Sequence, residues 1–141
     1  MTISRELQVS IPCDFDLLGI VTPAREYKLA WSLNQSLGLK LAKSQDLVIN
    51  FVNDRCIIIS NFVFATSHCT FRLLKNKALS GSASDFLLPE LKNLDYFLLI
   101  KNESDTFELD SYVSRLPTID AVQSFTTINV NNLDNKENLL F

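Results

Sequence analysis

The order of apolar and polar residues along the chain predicts strands and helices that alternate. Leu7, Val9 and Ile11 alternate with polar neighbours, a pattern typical of a strand with one solvent-exposed face. Pro12 should end this strand because it has no N–H to donate to a neighbouring strand. Asp14 then predicts an N-cap for a short helical turn that carries the next apolar residues.

The best-marked helix of the sequence lies between residues 22 and 38. Thr22 followed by Pro23 is typical of an N-cap and a first helical residue, and Gly38 is typical of the residue just past a helix end. Between these signals the leucines repeat at helical spacing, which predicts one buried face. Tyr27 and Trp31 stand one turn apart at the margin of that face, where they either line a pocket or pack against a sheet edge or loop.

The middle of the chain predicts a series of antiparallel strands. Residues 46–77 are rich in β-branched and aromatic residues, with polar turn candidates between the runs. Residues 79–85 have the composition of a surface loop within one domain. Residues 96–100 are apolar or aromatic at every position, which predicts a central strand covered on both faces.

The C-terminal third predicts a strand–helix–strand order. Asp105 and Glu108 fit a capping box, the apolar residues that follow repeat at helical spacing, and Pro117 stops the helix. A strand over residues 121–130 should come next. With the strand at 96–100 before it, this order predicts a C-terminal βαβ unit whose strands run in parallel.

Together these elements predict an α+β fold. We expect a two-layer arrangement with a mixed, mainly antiparallel sheet and the helices packed on one face. Leucine, isoleucine, valine and phenylalanine make up 51 of the 141 residues. At this length and apolar content, we expect residues 1–141 to form a single domain with a core of its own.

The charge of the chain argues against nucleic-acid and membrane partners. Thirteen Lys and Arg against sixteen Asp and Glu give a net charge of −3, which leaves no broad cationic surface for a phosphate backbone or an anionic bilayer. No apolar run approaches the roughly 18 residues of a membrane span, and the first residues lack a signal-peptide pattern. The sequence therefore predicts a soluble, cytoplasmic protein.

The cysteine and histidine residues argue against a metal site. Cys13, Cys56 and Cys69 are odd in number and widely spaced, so we expect reduced, mostly buried thiols. His68 is the only histidine of the sequence, which excludes a multi-histidine metal site, and its place near a predicted turn favours an exposed side chain. We expect no bound metal and no cofactor.

Several segments share the pattern of a bacterial family. They are residues 14–41, residues 87–98, the Leu116-Pro117 pair with Val122 behind it, and residues 136–139. Together they resemble the IPExxxVDY family, although Thr118, Gln123 and Ser124 stand where the family motif has Glu, Asp and Tyr. This family is uncharacterised, so the resemblance implies kinship and single-domain size but no activity.

Two further groups of residues are candidates for binding. Glu90 and Asp95 precede the predicted central strand, and ligand sites often form at strand ends in α/β folds. Leu139, Leu140 and Phe141 would be an aggregation liability in water. This tail should therefore pack against its own domain, or else insert into a second copy or a partner.

The sequence contains no glycine-rich phosphate loop and no nucleophile elbow, so no catalytic residue is assigned and a non-enzymatic function is favoured. We predict a non-catalytic interaction module, either self-associating or bound to a protein partner, in which an uncovered sheet edge or an apolar face makes the contact. The alternative is a small-molecule-binding regulatory or enzymatic domain of ferredoxin-like type. A polar-lined pocket near Glu90 and Asp95 would favour that alternative.

Overall fold

The computed structural model describes residues 15–50, 56–79, 85–103 and 108–139. The strand predicted at residues 7–11 lies outside these ranges, as do Cys13 and Asp105. Within the described ranges the chain forms a small α+β fold with a six-stranded antiparallel sheet, a separate strand pair and two α-helices.

The elements succeed one another as β1 (Phe15–Val21), α1 (Glu26–Leu37), β2 (Ala42–Lys43), β3 (Leu47–Asn50), β4 (Cys56–Ile59), β5 (Asn61–Ala65), β6 (Cys69–Lys75), β7 (Tyr96–Asn102), α2 (Leu109–Val113) and β8 (Ser124–Ile128). Short 3₁₀ turns cover Pro89–Leu91, Leu116–Thr118, Val130–Asn132 and Lys136–Leu139. No helix in these described ranges is both long enough and apolar enough to span a membrane.

The six strands lie in the order β2–β5–β6–β7–β1–β8. β7 pairs with β6 on one side and with β1 on the other, and β1 in turn pairs with β8, all antiparallel. β7 and β8 therefore flank β1 and do not pair with each other. The predicted C-terminal βαβ unit and the two-layer arrangement stay predictions.

The central position of β7 follows from its apolar sequence. Successive side chains of a strand point to opposite faces, and here Leu98 and Ile100 enter one apolar cluster while Phe97 and Leu99 enter another. All four side chains are buried. The prediction that this strand is covered on both faces is confirmed.

The first apolar cluster joins α1 to the sheet. Leu29, Leu33 and Leu37 form the buried stripe of α1 and lie in the same cluster as Leu98. Gly38 ends the helix with φ 69°, in the left-handed region, and its N–H donates to the Asn34 carbonyl at 3.0 Å. The predicted helix end is confirmed.

The helix begins later than the sequence predicts. Its first residue is Glu26 rather than Pro23, because Thr22 makes a turn of its own. The Ala24 N–H donates to the Thr22 hydroxyl at 3.0 Å, and that hydroxyl donates to the Ala121 carbonyl. These bonds satisfy the chain before the helix starts and tie it to the loop ahead of β8.

The second apolar cluster lies on the other face of the central strands. The β3–β4 pair contributes Ile49 and Ile57 to it, and the segment before β7 contributes Leu87 and Leu88. Asn76, which follows β6 and is fully buried, holds that segment in place. Its amide nitrogen donates to the carbonyls of residues 91 and 94, and its amide oxygen accepts from the backbone N–H of residue 88, each at 2.9 Å.

Two predictions about strand arrangement are wrong within the described residues. The helical turn expected after Asp14 is instead β1, because Leu17 and Leu18 are buried on opposite faces, in the two different clusters. The mixed sheet is not observed, since every described strand pair is antiparallel. β3 pairs with β4 in a two-stranded sheet of its own.

Candidate functional site

A cleft of about 390 Å³ lies between the start of α1 and the ends of β6 and β7. We call it the cationic cleft, because its lining includes Arg25, Lys75, Lys77 and Lys92. The carboxylate in the lining is that of Asp95, one of the predicted binding candidates. Lys75 is half-buried, whereas the other three cations are exposed.

Hydrogen bonds of the wall residues shape this cleft. Asp95 Oδ2 accepts from the Thr22 N–H at 2.8 Å, and the Asp95 N–H donates to the Ile20 carbonyl at 2.9 Å. The hydroxyl of Tyr96 donates to the Ala24 carbonyl at 3.2 Å. The residues that lead into α1 are therefore held against the start of β7, and the cleft exists before any ligand enters it.

The phenol of Tyr96 is expected to ionise at higher pH than an ordinary tyrosine. Burial, reinforced by the negative charges of Glu26 and Asp95, raises the pKa of Tyr96 to about 12 from its ordinary value of 10.0. The folded state thus holds the phenol proton more tightly than the unfolded state, so the stability of the fold should fall as pH rises from about 10 towards 12.

Tyrosinate absorbance during an alkaline titration checks this expectation. The native protein should show a late step near pH 12 that Tyr96→Phe removes. Ionisation of the Tyr96 phenol near pH 10, with the fold intact, would contradict its buried position.

A second concavity, of about 780 Å³, runs between α1 and residues 118–123. We call it the α1 groove. Trp31 lines it, is 59% exposed and carries the Lys28 ammonium 5.9 Å from its ring centroid. Tyr27 is 65% exposed but is not part of this lining. The pair that the sequence singles out is thus exposed, and one member of it borders a groove.

The outer edge of the sheet is formed by β8. This strand pairs with β1, and no other strand of the described ranges lies along its outer side. Residues 121–133 contain no charged residue and no proline. Ser124, Thr126 and Thr127 are exposed, whereas Phe125 and Ile128 are half-buried.

The structure separates Glu90 from Asp95. Both oxygens of Glu90 accept hydrogen bonds from Asn135, one from its backbone N–H and one from its side-chain amide, each at 2.9 Å. Partial burial raises the pKa of Glu90, but these bonds and further backbone bonds outweigh it, so the pKa lies below its ordinary value. Glu90 therefore anchors the C-terminal segment, and Asp95 borders the cationic cleft without it.

The apolar C-terminus is described as far as Leu139. This side chain is 3% exposed and belongs to the second apolar cluster, while Leu140 and Phe141 lie outside the described residues. The neighbouring Asn138 is buried as well, and its amide donates to the Leu87 carbonyl at 2.8 Å. Leu139 is thus covered by its own domain and is not available to a partner.

Two thiols and the histidine are placed away from these surfaces. Cys56 is exposed at the start of β4, against the expectation of a buried thiol, because the alternation of that strand turns Ile57 and Ile59 inwards instead. The thiol of Cys69 donates to Asn102 Oδ1 at 3.2 Å. His68 is exposed in the turn between β5 and β6.

Sequence reasoning did not identify the cationic cleft or the β8 edge. The four cations of the cleft come from three separate stretches of the chain, at residues 25, 75–77 and 92, and no sequence pattern brings those stretches together. One feature of the sequence could have indicated the edge strand, because 13 successive residues without charge follow Asp120. The sequence matches no family model and no curated protein, so the resemblance to the IPExxxVDY family stays a prediction.

Proposed function

We propose that this chain is a non-catalytic interaction module that self-associates by pairing its β8 edge with the β8 edge of a second copy. The observation that carries the proposal is the uncharged outer side of β8, along which no other strand of the described residues lies. Such an edge is a template for another strand, because unpaired backbone groups gain partners when a strand is added.

The composition of the edge supports pairing. Proteins that keep an edge strand free use charged side chains, proline, bulges or a very short strand to block addition. β2, at the opposite end of the sheet, has two residues and includes Lys43, which fits such protection. β8 has five residues, Ser-Phe-Thr-Thr-Ile, with high strand propensity and no charge.

A second copy is the partner that fits this edge most simply. Two identical strands can pair antiparallel about a two-fold axis. Each contact from one copy to the other is then repeated in the opposite direction. No charged side chain within β8 opposes another on such pairing. The half-buried Phe125 and Ile128 would lose further exposed apolar surface as the two sheets become continuous.

A charge placed on the edge should prevent the pairing. Light scattering should give the native chain a mass of twice 16.0 kDa at about 100 µM. Thr126→Lys puts an ammonium on the exposed centre of β8 in both copies, so the dissociation constant should rise at least about tenfold and the mass should fall to that of the monomer.

Gln45→Lys is the matched control, because it makes the same charge change at an exposed loop position near the opposite edge of the sheet. This variant should keep the native mass. A native chain that is monomeric, or a Thr126→Lys variant that remains folded and dimeric, would contradict the proposal.

A small-molecule-binding domain is the second candidate function. The observation in its favour is the cationic cleft, a polar concavity that Asp95 borders and whose volume lies within the range of ligand pockets. Both functions fit the soluble, cytoplasmic protein that the sequence predicts, in which the cysteines would stay reduced.

A further inference from the structure

The cationic cleft concentrates charge that the rest of the chain does not balance. Arg25, Lys75, Lys77 and Lys92 line it together with the single carboxylate of Asp95, in a protein whose net charge is −3. The ion pair found within the described residues, between Lys43 and Asp46, involves none of these four cations. Their charges are therefore available to an anion from solution.

Lys75 gives the strongest argument for a bound anion among the four cations. Its side chain is half-buried at the end of β6, where its backbone lies opposite Tyr96 of β7. A partly buried ammonium loses part of its hydration, and an ion of opposite charge compensates that loss. Among the described residues no carboxylate lies within ion-pair distance of Lys75, so an anion from solution can supply the compensating charge.

The walls of the cleft are fixed by bonds that do not involve the charged groups of these cations. Asp95 and Tyr96 are held to the residues before α1, as described above, and Lys77 forms an isolated bridge with Phe86 that closes the other side. An anion would thus enter a preformed concavity, and little ordering of the backbone would oppose its binding.

The first turn of α1 adds to the attraction. Thr22, Pro23, Ala24 and Arg25 line the cleft and lead directly into the 12-residue helix. The amino end of a helix carries a partial positive charge, which favours an anion nearby. Glu26, the first residue of α1, and Asp95 contribute negative charge here. The four cations and the helix end exceed these two carboxylates, so a doubly charged anion should bind more strongly than a singly charged one.

We propose that the cationic cleft binds a small phosphorylated organic molecule, with its phosphate held by Lys75, Lys92, Lys77 and Arg25. The volume of about 390 Å³ exceeds what one phosphate group fills, so the cleft also has room for an organic part. The Asp95 carboxylate offers an acceptor to a hydroxyl group of that part. This proposal rests on the second candidate function and is independent of β8 pairing.

Titration with two probes tests the proposal. Binding is monitored through the amide chemical shifts of the protein, in about 150 mM salt. Glycerol 3-phosphate should bind with saturation and a dissociation constant below about 1 mM, and inorganic phosphate should bind more weakly at the same residues. Shifts should be centred on the lining of the cleft. Equal affinity for the two probes would overturn the assignment of an organic ligand.

Lys75→Met removes the charge while keeping the length of the side chain, and it should raise the dissociation constant at least about tenfold. Lys92→Met, at an exposed position, should do the same in a fold that stays intact. Lys40→Met is the matched control, an exposed lysine outside the lining, and should leave affinity unchanged.

Two outcomes would overturn the proposal: no saturation by about 10 mM glycerol 3-phosphate, or equal affinities of the Lys92→Met and Lys40→Met variants. Repeating the titration with Thr126→Lys separates the two proposals. Ligand binding that persists in this variant supports the cleft whatever the mass of the native chain proves to be.

Discussion

Asn76→Ala is expected to lower the free energy of unfolding by about 3–5 kcal/mol. The side chain of Asn76 is fully buried and serves three backbone groups that precede β7, at residues 88, 91 and 94. Each buried group left without a partner costs about 1–3 kcal/mol, and water entering the space of the lost amide keeps the sum towards the lower end. Chemical denaturation of native and variant chains measures the difference.

Asn93→Ala provides the matched control, because Asn93 lies in the same segment but is exposed. Its effect should stay within about 0.5 kcal/mol. If both variants unfold at the same denaturant concentration, Asn76 does not hold the segment as described. The shape of the cationic cleft depends on the hydrogen bonds of Asn76 as well. Lys77 follows Asn76 directly, and Lys92 and Leu94 belong to the segment that Asn76 holds.

Leu99→Ala should cost about 2–5 kcal/mol of unfolding free energy, through lost transfer energy and the cavity that remains. Leu99 is 5% exposed, lies on the central strand β7 and belongs to the second apolar cluster. Val48→Ala is the comparison, because Val48 is 57% exposed on β3 and should change stability by about 0.5 kcal/mol or less. Equal denaturation midpoints would show that β7 is not the core of the sheet.

Local signals in the sequence predicted the elements whose structure is decided locally. The end of α1 depends on one residue, Gly38, whose left-handed conformation is readily available to glycine. The central strand depends on residues 96–100, which have no polar face to expose. In both cases a short stretch of sequence contains the whole physical cause.

The elements that were missed depend on contacts between distant residues. Asp14 suggested a helical turn by its capping tendency, but β1 forms because Leu17 and Leu18 find partners on both faces of a sheet whose strands lie far away in sequence. That β3 pairs with β4 and not with a strand of the main sheet likewise depends on tertiary contacts. Propensity alone does not decide such cases.

The candidate sites divide in the same way. Asp95 was identified because it precedes a buried strand, and it does border a cleft. The cations that give this cleft its character were not identified, because Arg25 and Lys75 are 50 positions apart and meet only through the antiparallel order of β1, β7 and β6. Glu90 looked equivalent to Asp95 in sequence, yet it bonds to Asn135, which no local pattern indicates.

Self-association through β8 is tested most directly by hydrogen exchange of its backbone amides at two protein concentrations, one well below and one well above the dissociation constant. Strand addition protects the outward N–H groups of residues 124–128, so their exchange should slow at the higher concentration in the native chain and stay unchanged in Thr126→Lys. Residues 69–75 of β6, inside the sheet, should exchange equally at both concentrations. If residues 124–128 of the native chain exchange at the same rate at both concentrations, the β8 edge is not the interface.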